Sequence, residues 1–246
     1  MEILVDMIQD FNPEEPHFHA AEIFNESWLV KAVLQQASAL PTSDLPLSFL
    51  PHATWFSEAY LPTAFSPRYR GDNLAEARTH ADGVIGHFTV GDSAKADFHL
   101  KAGARQFVVV EAKMGSPLSP GTSNAPGYDQ AARNVACMAE ALHLADLPAG
   151  TMERLAFVVL APASHIEVGT FSAEMTVGSI RGKVQARVDS YEGALDGWQR
   201  GWFEPLIAAV ELHTLSWKQA IAWIGTCNKV AAHSLQAFYE KCLAFN

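Results

Sequence analysis

Seven consecutive apolar residues, Leu155 to Ala161 (Leu-Ala-Phe-Val-Val-Leu-Ala), constrain this chain more than any other stretch. The run is far short of the roughly 18 residues that a membrane span needs. It also lacks the apolar/polar alternation of a strand with one wet face. A continuous apolar strand of this kind suits the middle of a sheet covered on both faces. Phe107-Val-Val-Val110 is a shorter run of the same type, and it continues directly into Glu111-Ala-Lys113. Between the two runs, Tyr128 to Leu144 spaces Ala, Val, Met and Leu for one buried helical stripe.

The flanking sequence fills in the rest of a domain. Phe18 to Leu40 reads as a helix, with Ile23, Leu29, Val30, Val33, Leu34 and Ala37 on one face and Pro41 as its stop. Prolines 46, 51, 62 and 67 punctuate the next stretch and leave room for one strand in Ala53 to Leu61. Val84 to Val90 is a clear strand, bounded by Asp82-Gly83 and Gly91-Asp92, and Asp97 to Lys101 is a shorter one. Gly115 to Gly127, rich in Gly, Ser and Pro, reads as an exposed loop. After Pro162 helices are expected at Ser179 to Leu195, Gly201 to His213, Trp217 to Ile224 and Lys229 to Ala244. The order predicts a mixed α/β fold with a helical C-terminal addition, and no linker divides the 246 residues into two domains.

Composition excludes several classes. At 49% hydrophobic residues, the chain can bury a core without metal or disulfide staples. Its three cysteines are odd in number and form no C-x-x-C, which points to a reducing compartment. The acidic start, Met1 to Pro16, lacks the basic residues of a secretory signal, so a cytoplasmic protein without membrane attachment is expected. A net charge of −10 rules out a non-specific coat protein of nucleic acid, because counterion release needs many Lys and Arg contacts. A local basic groove stays compatible with that charge.

The chemistry concentrates at Glu111-Ala-Lys113. Side chains alternate along a strand, so Glu111 and Lys113 share a face, about 7 Å apart along the backbone. A second carboxylate brought beside Glu111 would complete a pair of hard oxygen ligands for Mg²⁺ or Mn²⁺. Such an ion polarises a phosphate and lowers the pKa of a bound water, while a lysine orients that water or offsets developing charge. Two aspartates precede the strand: Asp82, which opens the cleaner strand and lies 29 residues before Glu111, and Asp97, which lies 14 residues before it. Asp82 is the preferred ligand and Asp97 the second choice.

An Asp, then Glu-x-Lys on a neighbouring strand, then a helix bearing Gln130 resembles the PD-(D/E)xK nuclease superfamily, with its restriction-endonuclease-like fold. The resemblance covers about residues 18–161, and the helices of about 165–246 lie outside it as an extension packed on that core. It implies a mixed central sheet flanked by helices and a Mg²⁺- or Mn²⁺-dependent hydrolase acting on phosphodiester bonds. Asp82 and Glu111 would be the metal ligands, Lys113 the residue that positions water, and Gln130 a further catalytic residue. The resemblance also makes Glu26 a candidate to point at the metal, as in members with a first-helix Glu. Glu22, four residues earlier, would share its helix face. Arg133 and Asn134 are candidates to line the nucleic-acid cleft, Arg133 as a phosphate contact, and Asn134 stands where one branch of the family carries a Tyr. DNA is favoured over RNA as partner.

Two other readings stand beside this one. A catalytically inactive module of the same fold, binding nucleic acid or a protein, is the alternative, since fold alone does not guarantee activity. A zinc hydrolase built on His17, His19, His80, His87 and His99 is weaker, because the sequence contains no H-E-x-x-H or C-x-x-C. The tryptophan stripe Trp198, Trp202 and Trp217 is expected either to pack the C-terminal helices within one chain or to join two copies as a homo-oligomer.

Overall fold

The computed structural model describes residues 14, 18–76, 79–91 and 97–246. Five strands form one sheet: β1 (Thr54–Phe56), β2 (Gly83–Gly86), β3 (Gln106–Ala112), β4 (Arg154–Ala161) and β5 (Glu211–Ser216). They lie side by side in chain order, with β1–β2–β3 antiparallel and β3–β4–β5 parallel. The two continuous apolar runs, β3 and β4, are buried on both faces, as their composition requires.

The faces are covered by different helices. On one, Phe107, Val109, Phe157 and Val159 meet α2 (Gln130–Leu144), α3 (Val177–Asp189) and the short helices up to Val210. On the other, Ile85, Val108, Val110 and Val158 meet α1 (Glu26–Ala37), α4 (Trp217–Cys227) and α5 (Lys229–Phe245). Both parallel crossovers therefore run over the α2 face, and β5 passes the chain to the opposite one. The fold is mixed α/β, a five-stranded mixed sheet flanked by helices with further helices at its C-terminal end. Among the described residues no helix is long and apolar enough to cross a membrane.

Four sequence expectations need correction. Gly201 to His213 is not one helix: a π-turn at Gln199–Phe203 and a short helix at Glu204–Ala209 are followed by the edge strand β5. Leu206, Ile207 and Val210 keep helical spacing, but Val210 turns extended, and parallel pairing to β4 captures the residues after it. Val84 to Val90 is not one strand either. Gly86, at φ +155°, lets the chain leave the sheet, and Phe88–Val90 pairs with Phe98–Leu100 in a separate hairpin. The single strand expected in Ala53 to Leu61 divides likewise. Thr54–Phe56 joins the central sheet, and Ala59–Leu61 pairs with Thr79–Ala81.

The fourth correction concerns the first helix, which starts at Glu26 rather than Phe18. Asn25 caps it, accepting from the Trp28 N–H at 3.1 Å, and its Nδ2 donates back to Ala21 O and Glu22 O. Glu22 ends a preceding 3₁₀ turn, so Glu22 and Glu26 do not share a helix.

The C-terminal tryptophans pack within the chain. Trp198 is stacked on Phe203, Trp202 lies against the α2-face core, and Trp217 is wholly buried on the other face.

Candidate active site

The sheet register brings the site together. Gly83 pairs with Val110 in the antiparallel β2–β3 ladder, so Asp82, one step further, stands across from Glu111. Both side chains point to the α2 face, since Gly83 turns toward Val30 and Leu34 of α1 and its neighbours alternate. The 29-residue interval is taken up by the outlying hairpin of Phe88–Val90 and Phe98–Leu100. Asp82 Oδ2 accepts the Ala112 backbone N–H at 2.7 Å, and its carboxyl reaches that of Glu111.

Glu111 is 1% exposed and is the hub of the site. Its Oε1 accepts from Lys113 Nζ at 2.7 Å and from Gln130 Nε2 at 2.5 Å, and its Oε2 from Asn134 Nδ2 at 3.3 Å. Burial first, then the charge of Asp82, pushes the carboxyl up to about 8, against the pull of Lys113. Two carboxyls forced together in a dry place form a site that a cation would relieve.

Helix α2 supplies the amides with fixed orientation. Asp129 caps the helix by accepting from Ala132 N, which sets Gln130 in the first turn. Gln130 Oε1 accepts from Ser119 N at 3.1 Å, and its backbone N–H returns to Ser119 O. These bonds leave the Nε2 end directed at Glu111. Asn134, one turn on, is fully buried. It therefore holds Glu111 and cannot line a nucleic-acid surface as its sequence position suggested. Arg133 is half-buried and lines a neighbouring cavity.

The remaining candidates lie elsewhere. Asp97 bridges to Tyr60 and lines a separate cavity with Phe98, His99 and Glu140. Glu22 is exposed on the 3₁₀ turn. Glu26 sits on α1, the layer opposite the carboxyl pair, where its charge bears on the Cys242 thiol. Of the histidines, His17 lies outside the described residues. His87 is committed to backbone: its Nδ1 faces the N–H groups of Arg105 and Gln106, and its Nε2 meets Pro51 O. His80 packs on Tyr60 at 3.7 Å between ring centroids. Among the described residues no three His, Cys, Asp or Glu side chains converge as a metal cluster.

No family model, curated protein or solved structure matches the chain. The site itself therefore carries the functional argument.

Two supporting residues escape sequence reasoning. Trp217 Nε1 donates to Lys113 O at 3.0 Å, which ties α4 to the end of the Glu111 strand. Lys183 of α3 forms an ion pair with Asp129, the cap of α2. Asp129 before a helical run is a readable cap signal. Nothing in the sequence pairs it with a lysine 54 residues away, and Trp217 reads as one more core aromatic.

Proposed function

We propose that the protein is a metal-dependent nuclease of the PD-(D/E)xK type, hydrolysing phosphodiester bonds of nucleic acid, with DNA as the favoured substrate. The observation that carries this reading is the convergence of Asp82, Glu111 and Lys113 on one face, with Lys113 Nζ 2.7 Å from Glu111. The antiparallel β1–β2–β3 meander, the helix after it and the parallel β4 support a restriction-endonuclease-like core.

The donor set fits Mg²⁺ or Mn²⁺, which favour carboxylate oxygens and keep several positions for water and substrate. Asp82 and Glu111 would hold the ion, which when bound polarises the phosphate and lowers the pKa of a water. The chain's own residues do the rest. Gln130 and Asn134 hold the Glu111 carboxylate in one orientation. Lys113, 12% exposed, keeps an ammonium at the mouth of the site, where it orients the attacking water and offsets charge on the phosphate oxygens.

One observation favours the alternative of a non-catalytic module: both oxygens of Glu111 already have protein donors, Lys113 and the amides of Gln130 and Asn134. Mn²⁺-dependent cleavage of a mixed DNA and RNA panel separates the two readings, with wild type and Lys113→Ala side by side. Wild-type cleavage, lost by about hundredfold or more in the variant, is the expected result, because that is the usual scale of a missing charge-stabilising donor. Equal cleavage by both proteins removes the assignment, and no cleavage by the wild type favours the module.

A further inference from the structure

A two-stranded hairpin (Gly121–Thr122 with Ala125–Pro126) borders a cavity of about 220 Å³. Its lining includes Glu76, Thr79, Thr122, Ser123, Asn124 and Arg133. Three of its walls continue elements of the site: Thr79 precedes Asp82 on the chain, the hairpin follows Lys113, and Arg133 lies one turn beyond Gln130 and next to Asn134.

The cavity is rich in donors, and its charged lining residues are one base, Arg133, and one acid, Glu76. Arg133 Nε is buried with no acceptor among the described residues. Arg187 of α3 lies outside the lining, where it pairs with Glu76 and its Nη2 donates to Leu74 O. One carboxylate, Glu76, faces both guanidiniums. Its Oε1 is 3.8 Å from Arg187 Nε, too long for a hydrogen bond, and its Oε2 accepts from Thr63. Thr79 serves the Cys137 thiol and Asn124 reaches Ala75 O. The hydroxyls of Thr122 and Ser123 remain exposed at the rim. A buried guanidinium N–H without an acceptor, such as Nε of half-buried Arg133, is costly unless an oxygen-rich anion completes it. A planar guanidinium with two neutral hydroxyls suits the several oxygens of a tetrahedral phosphate.

We propose that this cavity is a phosphate subsite centred on Arg133, Thr122 and Ser123, taking the phosphate of a nucleotide adjacent to the one held at Glu111. The nucleotide part rests on the nuclease reading, whereas the phosphate part rests on the cavity alone.

Calorimetric titration in EDTA with inorganic phosphate, and separately with a nucleoside monophosphate, reads the subsite without any cleavage. Saturable binding to wild type is expected, weakened about tenfold or more in Arg133→Gln, as for loss of a charge-assisted hydrogen bond. A smaller loss is expected in Ser123→Ala and none in Arg200→Gln, an exposed arginine outside the cavity lining. Absence of binding to wild type, or equal binding to Arg133→Gln, overturns the subsite. Should Arg133→Gln fail to fold, Ser123→Ala on the exposed hairpin tip still decides: unchanged binding there overturns it. In cleavage assays Arg133→Gln should raise KM for an oligonucleotide and preserve kcat. An unchanged KM beside lost phosphate binding overturns the nucleotide part and leaves a free-phosphate site. If wild type cleaves nothing, the nuclease reading falls while the titration still judges the cavity.

Discussion

Asp82 faces Glu111 across the β2–β3 ladder, and its Oδ2 is fixed by the Ala112 backbone N–H at 2.7 Å. The contact between the two carboxyls is therefore built into the sheet register. Slipping that register by one residue would turn every side chain of β2 to the other face. Because Val84 and Ile85 are buried on opposite faces, the cores on both sides hold the pair in place.

The first consequence is a pH dependence of stability. The folded protein holds the Glu111 proton up to about 8, while the unfolded chain releases it near the ordinary 4.5. Between those values the folded state binds more protons, so stability falls as pH rises through this window and is flat below it. Thermal melts in metal-free buffer should show wild-type Tm declining from about pH 5 to about pH 9, by several degrees for a chain of this size. Glu111→Gln, which keeps the shape but cannot ionise, should decline less and be the more stable protein at the alkaline end. Parallel curves for the two would refute the assignment.

Divalent cations should reverse that decline. Binding needs ionised carboxylates, so it competes with the proton on Glu111 and strengthens with pH. Adding Mg²⁺ or Mn²⁺ should raise Tm at about pH 8 by a few degrees, as any ligand specific to the folded state does, and raise it less at about pH 6. Chelation with EDTA should restore the original melt and abolish cleavage. Asp82→Asn and Glu111→Gln should each remove the cation-dependent gain, and a full gain in either would place the ion elsewhere.

At Gly86 the outlying hairpin leaves the sheet. Its φ of +155° is poorly tolerated by residues with a side chain, and a Cβ there would lie 2.1 Å from the Gln106 backbone oxygen. Neither the strand nor the carbonyl can move without disturbing the β2–β3 pairing beside Asp82. Gly86→Ala should destabilise the protein by about 3 kcal/mol or more, the scale of enforced backbone strain and overpacking. Urea unfolding measures this directly, and a loss under about 1 kcal/mol would show that the strand exit adjusts freely.

These relationships were unequally legible in the sequence. The β3 and β4 runs, the Glu111–Lys113 face and helix α2 follow from short-range periodicity, which depends only on neighbouring residues. The position of Asp82 opposite Glu111 needed the register, and the sequence hid it behind a segment, Val84 to Val90, that reads as one strand through Gly86 and His87. Strand β5 was misread because Leu206, Ile207 and Val210 satisfy a helical period, and only the open edge of β4 decides otherwise. Asn134 reads as a cleft residue because it lies one turn after Gln130. Its burial follows from the carboxylate it serves, a partner on another element that no local pattern announces.

The link from α4 to the site supplies the last prediction. Trp217 is wholly buried, and its indole N–H is bonded to the carbonyl of Lys113, the residue that on the proposed nuclease reading holds its ammonium at the mouth of the site. Trp217→Phe keeps most of the apolar volume but leaves that carbonyl without its donor, at a cost of about 1–3 kcal/mol. The backbone of Lys113 is still held from its N–H side by Leu160 O at 2.8 Å, so the strand should stay in place while its end loosens. A positional error of about 1 Å at a reacting group can cost up to about hundredfold in rate. The expected outcome is a fall in kcat of roughly tenfold with little change in KM, because the loss falls on Lys113 rather than on strand binding. Trp223→Phe, in the same helix and partly buried against the same core, should leave kcat unchanged. If both variants lose activity in proportion to stability, Trp217 is only a core residue; if Trp217→Phe alone loses kcat, the C-terminal helices are part of the catalytic scaffold.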